Sequence, residues 1–141
     1  MKKPATTKHA LDVVIIDDNE ELLQSLVILI QELGHNARGA SSGIRGFELV
    51  KSMHPGLIIC DINLQGYMNG HGVAEWVRLH SAVPKAYLVA LSGNSEQSDR
   101  EKSLRAGFDL HLAKPMAAEQ MRLMLDDARR HNLRTLVRSL G

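Results

Sequence analysis

Apolar runs alternate with segments of helical period along almost the whole chain. Val13-Val14-Ile15-Ile16 is the first run, and Asp17-Asp18 closes it. Leu57-Ile58-Ile59-Cys60 is the second, closed by Asp61 and the loop Asn63-Leu64-Gln65-Gly66. Tyr87-Leu88-Val89-Ala90-Leu91 ends at Ser92-Gly93-Asn94, and Leu110-His111-Leu112-Ala113 ends at Lys114-Pro115. Apolar runs of four to eight residues bounded by turn signals predict buried strands. A weaker, polar strand is expected over His35 to Arg38, and its polarity suits a sheet edge.

Between the runs the period changes to that of a helix. Leu22, Leu23, Leu26, Val27, Ile30 and Leu33 predict a first helix, capped by Asp18 or Asn19 and stopped by Gly34. Ser41 or Ser42 caps a second, with Ile44, Phe47 and Val50 on one face and a break at His54-Pro55-Gly56. A third starts near Gly70 to Gly72, carries Val73, Trp76, Val77 and His80, and ends at Val83-Pro84. The fourth, Ser95 to Ala106, has only Leu104 and Ala106 as apolar residues and should be the least firmly held. The last carries Met121, Met124, Leu125 and Ala128, and its pattern resumes at Leu133, Leu136, Val137 and Leu140.

Five strands alternating with five helices predict an α/β fold. Right-handed crossovers then give a doubly wound parallel sheet. The continuous apolar runs belong at its centre and the polar one at its edge, which fits the flavodoxin-like order 2-1-3-4-5. All strands share one carboxyl edge, where ligands bind in such sheets. Asp17, Asp18, Asp61, Ser92 and Lys114 each fall just past a strand end or at it, so the fold should gather them in one cleft.

A chain of 141 residues bounds this to one domain, with residues 1–10 a flexible leader, 11–130 the domain and 131–141 a helical extension or tail. The remainder after Pro115 is too small for an output domain. A net charge of +1 gives no electrostatic case for nucleic acid, and Arg129, Arg130, Arg134 and Arg138 read as a solvated helix face. No stretch approaches the ~20 apolar residues of a membrane span, and the leader lacks the apolar core of a signal peptide. The lone Cys60 excludes an internal disulfide, suits a reducing compartment such as the cytoplasm, and reads as a small core residue.

Three carboxylates within a few ångströms repel one another unless a cation intervenes. Lys114 supplies one positive charge, which is not enough. Hard oxygens at an open, wet edge suit Mg²⁺, which takes a few carboxylates, water and a phosphate oxygen. A carboxylate can also attack phosphorus. Asp61, on the central strand, is the natural nucleophile, which leaves Asp17 and Asp18 to hold metal. Lys114 would neutralise charge on the transferred group, and the Ser92 hydroxyl could donate to one of its oxygens.

The cluster resembles the receiver domain of two-component response regulators, over roughly residues 11 to 130. The resemblance implies that Asp61 accepts a phosphoryl group from a sensor histidine kinase or phosphotransfer protein. It implies Asp18, Asp61 and the Asn63 carbonyl as direct Mg²⁺ ligands, with Asp17 acting through water. Lys114 would pair with the acceptor, Ser92 would be the switch hydroxyl, and Lys114-Pro115 would be cis. Asn63 and Asn94 would tune the phosphate's lifetime. The face of helix 4, strand 5 and helix 5 would engage a downstream protein or a second copy. Such a domain is not an enzyme on other substrates; it promotes only its own phosphorylation and dephosphorylation.

Two positions depart from the family pattern. Gln65 stands where a Pro is usual, in a loop to Gly70 that is one residue longer than common. His111 stands where the family favours an aromatic switch; it either points to solvent from an edge strand or takes a switching role. Two other functions remain open: an interaction module that is never phosphorylated, and an aspartyl-phosphate phosphatase. The second usually needs an acid two residues after a first-strand nucleophile, and here Asn19 stands at that distance from Asp17.

Overall fold

The computed structural model describes residues 10–80, 85–93 and 97–140. The leader through residue 9, the helix stop at Val83-Pro84, and Asn94 and Ser95 lie outside them. The strands are β1 (Asp12–Ile16), β2 (Asn36–Ala40), β3 (Leu57–Asp61), β4 (Tyr87–Ser92) and β5 (Leu110–Ala113). The helices are α1 (Glu20–Glu32), α2 (Gly43–Met53), α3 (Gly70–Leu79), α4 (Gln97–Ala106) and α5 (Ala118–Leu140). All strands are parallel, in the order β2-β1-β3-β4-β5. The fold is the expected flavodoxin-like doubly wound sheet.

Two apolar layers cover the sheet. On one face α2 and α3 pack Phe47, Val50, Val73, Ala74 and Val77 against Val14, Ile16, Ile58, Cys60 and Leu88. On the other, α1 and α5 pack Leu23, Leu26, Ile30, Met121, Met124 and Leu125 against Val13, Ile15, Leu57 and Ile59. The apolar runs are buried throughout because both faces of the central strands are covered.

Side-chain caps set the helix starts. Asn19, Ser42 and Asn69 accept hydrogen bonds from the backbone N–H of Leu22, Arg45 and Gly72 at 3.2, 3.2 and 2.9 Å. Gly34, at φ +97°, ends α1 in the left-handed region that favours glycine.

Three expectations change. β2 begins and ends later than His35–Arg38, because its inward positions are the small Ala37 and Ala40, which give little apolar signal. In α2 the inward surface includes Gly43 and Gly46, while Ile44 is exposed; a Cβ on Gly46 would lie 2.3 Å from Ile16 Cδ1, so the helix sits against β1. In α4, Leu104 is 56 % exposed and the fully buried position is Ser103. The last helix, α5, runs unbroken through residue 130 to Leu140.

One arginine ties three elements together on the α3 side. Arg78 donates from Nε to Gly107 O at 2.9 Å and from Nη1 to Ala86 O at 2.8 Å, and its Nη2 pairs with Asp109 Oδ2 at 2.8 Å. It therefore joins the end of α3 to the approach to β4 and to the turn between α4 and β5.

Candidate functional site

The parallel order brings the ends of β1, β3, β4 and β5 to one edge, and the expected residues meet there. Asp17 follows β1 directly; its N–H donates to Ala40 O at 3.1 Å, which holds it on the sheet. Asp61 is the last residue of β3, in register with Leu91 of β4. Both are buried, while Asp18 is half-buried. The three carboxylates offer oxygens that all lie within 4.8 Å of one another.

Backbone donors orient each carboxylate. Asp17 Oδ1 accepts from the Asn19 N–H at 2.9 Å, and Asp61 Oδ1 from the Asn63 N–H at 2.9 Å. Asp18 Oδ2 accepts from the Gln65 N–H at 3.0 Å, which draws the loop after β3 over the cleft. That loop turns at Gly66, φ +101°, so the departure at Gln65 leaves it anchored to the acidic cluster. Asn63 is an exposed residue whose observed link to the site is its backbone N–H.

Lys114 enters from the end of β5. Its N–H donates to Ser92 O at 2.8 Å, and its Nζ lies 3.0 Å from Asp17 Oδ2 and 3.2 Å from Asp61 Oδ2. Burial alone would lower the lysine's pKa. The contacts and charges of Asp17 and Asp61 outweigh that, and the ammonium is held above its ordinary value. The Lys114-Pro115 bond is cis, as expected. Ser92 is buried at the end of β4, beside Ala113 of β5.

The donor set fits a hard divalent cation. One ammonium faces three carboxylates, which leaves a surplus of negative charge. Apart from the Lys114 ion pair, the buried Asp17 Oδ2 has no hydrogen-bond partner among the described residues. Oxygen-only donors at a partly open edge are what Mg²⁺ takes. Cys60 adds no reactivity: it is fully buried, and burial followed by the nearby Asp61 and Asp17 charges pushes its thiol far up, so it stays protonated.

Two further residues shape the site. A Cβ on Gly70 would lie 2.4 Å from Asp61 O and 2.6 Å from Ile62 Cα, so α3 can begin against the Asp61 backbone only with glycine there. His111 does not point to solvent: it is buried, with Nδ1 2.9 Å from Ser103 Oγ. Ser103 Oγ also lies 3.0 Å from Asp99 O, so one hydroxyl bridges His111 of β5 and the backbone of α4. A buried polar pair of this kind leaves no mark in apolar periodicity. Gly70 was legible only as a helix start.

The fold and this edge define a doubly wound domain with a carboxylate and lysine cleft at the carboxyl ends of its strands. The chain belongs to the response regulator receiver domain family, whose profile matches residues 13–126. It is similar to the polar-differentiation response regulator DivK of Brucella ovis, with 26 % identity over 120 residues, 82 % of this chain and 97 % of that protein. It is also similar to "Probable transcriptional regulator ycf27" of Porphyridium aerugineum, with 28 % identity over 109 residues; that match takes 77 % of this chain but spans 44 % of the relative's length.

Solved structures share the fold at lower identity. The receiver domain of the sensor histidine kinase PA1611 from Pseudomonas aeruginosa has a TM-score of 0.77 at 22 % identity, over 85 % of this chain and 98 % of that one. Chemotaxis protein CheY4 of Vibrio cholerae has a TM-score of 0.79 at 20 % identity, over 84 % and 98 %. Family membership places the chain in two-component phosphorelay signalling, as a regulatory domain that works with histidine kinases or phosphotransfer partners. Among the described residues, no helix is long and apolar enough to cross a membrane.

Proposed function

We propose that Asp61 accepts a phosphoryl group from a histidine kinase or phosphotransfer protein, with Mg²⁺ required. The observation that carries this is the one ammonium, Lys114, shared between Asp17 and Asp61 in a cleft with three carboxylates. An Asp61 oxygen attacks the donor's phosphorus, the phosphorus–nitrogen bond of the phosphohistidine breaks, and the imidazole leaves with its electron pair and takes a proton from water. Asp17, Asp18, Asp61 and the Asn63 carbonyl would hold the metal. Bound there, Mg²⁺ supplies charge neutralisation for the phosphoryl oxygens. The solved Pseudomonas receiver domain is described with a magnesium ion coordinated in its active site cleft, which supports the assignment.

Lys114 holds the acceptor in place before transfer and pairs with the phosphoryl oxygens after it. The Ser92 hydroxyl donates to one of those oxygens. A phosphoryl group adds roughly −1.5 to −2 charges. Its pull on Ser92 shifts α4, and the face of α4, β5 and α5 passes the state to a downstream protein or a second copy. The hydrogen bond between Ser103 and His111 supports this route, because it ties the buried position of α4 to β5. The free thiol of Cys60 fits a cytoplasmic setting.

Intact mass after incubation with Mg²⁺ and phosphoramidate tests the reading. Wild type gains one acid-labile phosphoryl group, and Asp61→Asn gains none. Asp18→Asn keeps Asp61 but needs much more Mg²⁺. Acid-stable labelling, or equal labelling of Asp61→Asn, overturns the proposal.

A further inference from the structure

A second cleft lies away from the acidic one, at the end of the sheet where the strands begin. It encloses about 410 Å³, within the range of small-molecule sites. Its walls are the end of α3, the approach to β4, the turn between α4 and β5, and the last turns of α5. His131 Nε2 lies 2.7 Å from Lys85 O, which sets α5 beside the approach to β4. Thr135 and Arg138 follow His131 by one and two turns, so the three share a flank, and all three line the cleft. This part of α5 lies beyond the family match, which stops at residue 126.

The uncompensated charge in this cleft is positive. Asp109 is the one carboxylate among the described residues that line it. Its Oδ2 already accepts from Arg78 Nη2 and from the Leu88 N–H, each at 2.8 Å. Arg78 and Asp109 therefore neutralise each other. Lys85 and Arg138 also line the cleft, and neither side chain has an ion-pair or hydrogen-bond partner among the described residues. Beside these cations the wall is apolar. Leu104, the one large apolar residue of α4, is exposed, and it lines the cleft together with Phe108. Two free cations and an apolar wall within one small volume match a ligand with a doubly charged head and a less polar body.

We propose that this cleft binds a small phosphomonoester of nucleotide size. Its phosphate, close to a dianion at neutral pH, would take charge-assisted hydrogen bonds from Lys85 and Arg138. Its body would cover Leu104 and Phe108. Inorganic phosphate would meet the two cations but leave the apolar wall in water. A nucleic-acid strand fits less well, since it draws its affinity from many phosphate contacts and the cleft offers two cations on a chain of net charge +1. Because Gly107 and Phe108 belong to the turn between α4 and β5, a bound ligand would also brace that turn.

Calorimetric titration of the full chain tests this, in EDTA so that no metal occupies the acidic cleft. The probes are adenosine monophosphate, adenosine and inorganic phosphate. The nucleotide binds, and adenosine and inorganic phosphate each bind about tenfold more weakly or worse. Amide NMR shifts on adding the nucleotide centre on residues 104–109 and 131–138. The double variant Lys85→Gln, Arg138→Gln weakens nucleotide binding about tenfold or more, while Leu104→Gln weakens it without changing the response to inorganic phosphate. These three positions are exposed, so the thermal midpoint should stay put. Lys114→Ala, which removes the cation of the acidic cleft, should bind the nucleotide like wild type, so a failure of the phosphoryl reading leaves this result standing. Four results overturn the proposal: equal binding of nucleotide and adenosine, or of neither; full nucleotide binding in the double variant; NMR shifts centred on residues 61–66; or a preference for single-stranded RNA or phosphatidylglycerol vesicles over the nucleotide.

Discussion

Helices α3 and α4 are neighbours of equal length, ten residues each, yet they are held by different physics. α3 buries Val73, Ala74 and Val77 completely. α4 buries a serine at its inward position and leaves Leu104 in solvent. Apolar burial is non-directional and degrades gradually as a helix slides. A buried hydrogen bond has one good geometry and is made or broken. The first suits a fixed wall behind β3. The second suits an element with two positions, which is what a phosphorylation switch needs.

The largest effect that would break this contrast is in α3. Val77→Ala removes fully buried methyl groups from the layer over β3 and β4, and should cost about 2–3 kcal/mol in urea unfolding. A loss no greater than that of an exposed α4 change such as Leu104→Ala would mean that the two helices are held alike.

Ser103→Ala is the smaller, more local test. It removes the hydrogen bond to His111 and should cost about 1 kcal/mol in global unfolding, less than the α3 effect. Its signature is position: amide exchange should quicken through residues 97–106 while residues 70–79 stay as in wild type. Beryllofluoride with Mg²⁺ should then alter exchange in β5 less than it does in wild type, because the tie between α4 and β5 is gone. Unchanged coupling in Ser103→Ala would remove the hydrogen bond from the switch.

The smallest expected effect sharpens the contrast through two buried histidines. His111 pairs through Nδ1 with the Ser103 hydroxyl, whereas His35 accepts at Nδ1 from the Leu11 N–H at 2.9 Å. Burial, and then the Arg129 charge, lowers the His35 pKa. The unfolded chain therefore binds this proton more readily than the folded one, so stability falls as pH drops below the ordinary histidine value near ~6.5. The slope should be at most that of one proton, about 1.4 kcal/mol per pH unit, and His35→Gln should flatten it. Acid should loosen the β1 and β2 starts around Leu11 before it loosens α4; the reverse order would exclude His35 as the sensitive group.

How much of this was legible beforehand follows from what each element uses to pack. β1, β3, β4 and β5 announced themselves because apolar runs covered on both faces leave a continuous mark. The cleft was legible for the same reason: once the strands were placed, Asp17, Asp18, Asp61, Ser92 and Lys114 had to share an edge. β2, the inner face of α2 and the anchor of α4 were misread where packing rests on Ala37, Ala40, Gly46 and Ser103. Small or polar side chains fit close contacts but carry no hydrophobic period. His111 was left between two readings because its burial depends on a partner eight residues away, Ser103, on a different element.

The Arg78 bridge has a mechanical consequence. It grips Gly107, so the carboxyl end of α4 is fastened to α3 and to the start of β4, while the other end lies toward Ser92. α4 is then a lever with its pivot at the end far from Ser92. Ten residues of helix span ~15 Å, so a rotation of roughly 10° about that pivot carries the free end through about 2–3 Å. The pivot also decides what cannot happen: α4 cannot slide along its own axis without pulling Gly107 O away from Arg78 Nε. The motion left to it is a swing, and a swing delivers its largest displacement at the end where the force is applied.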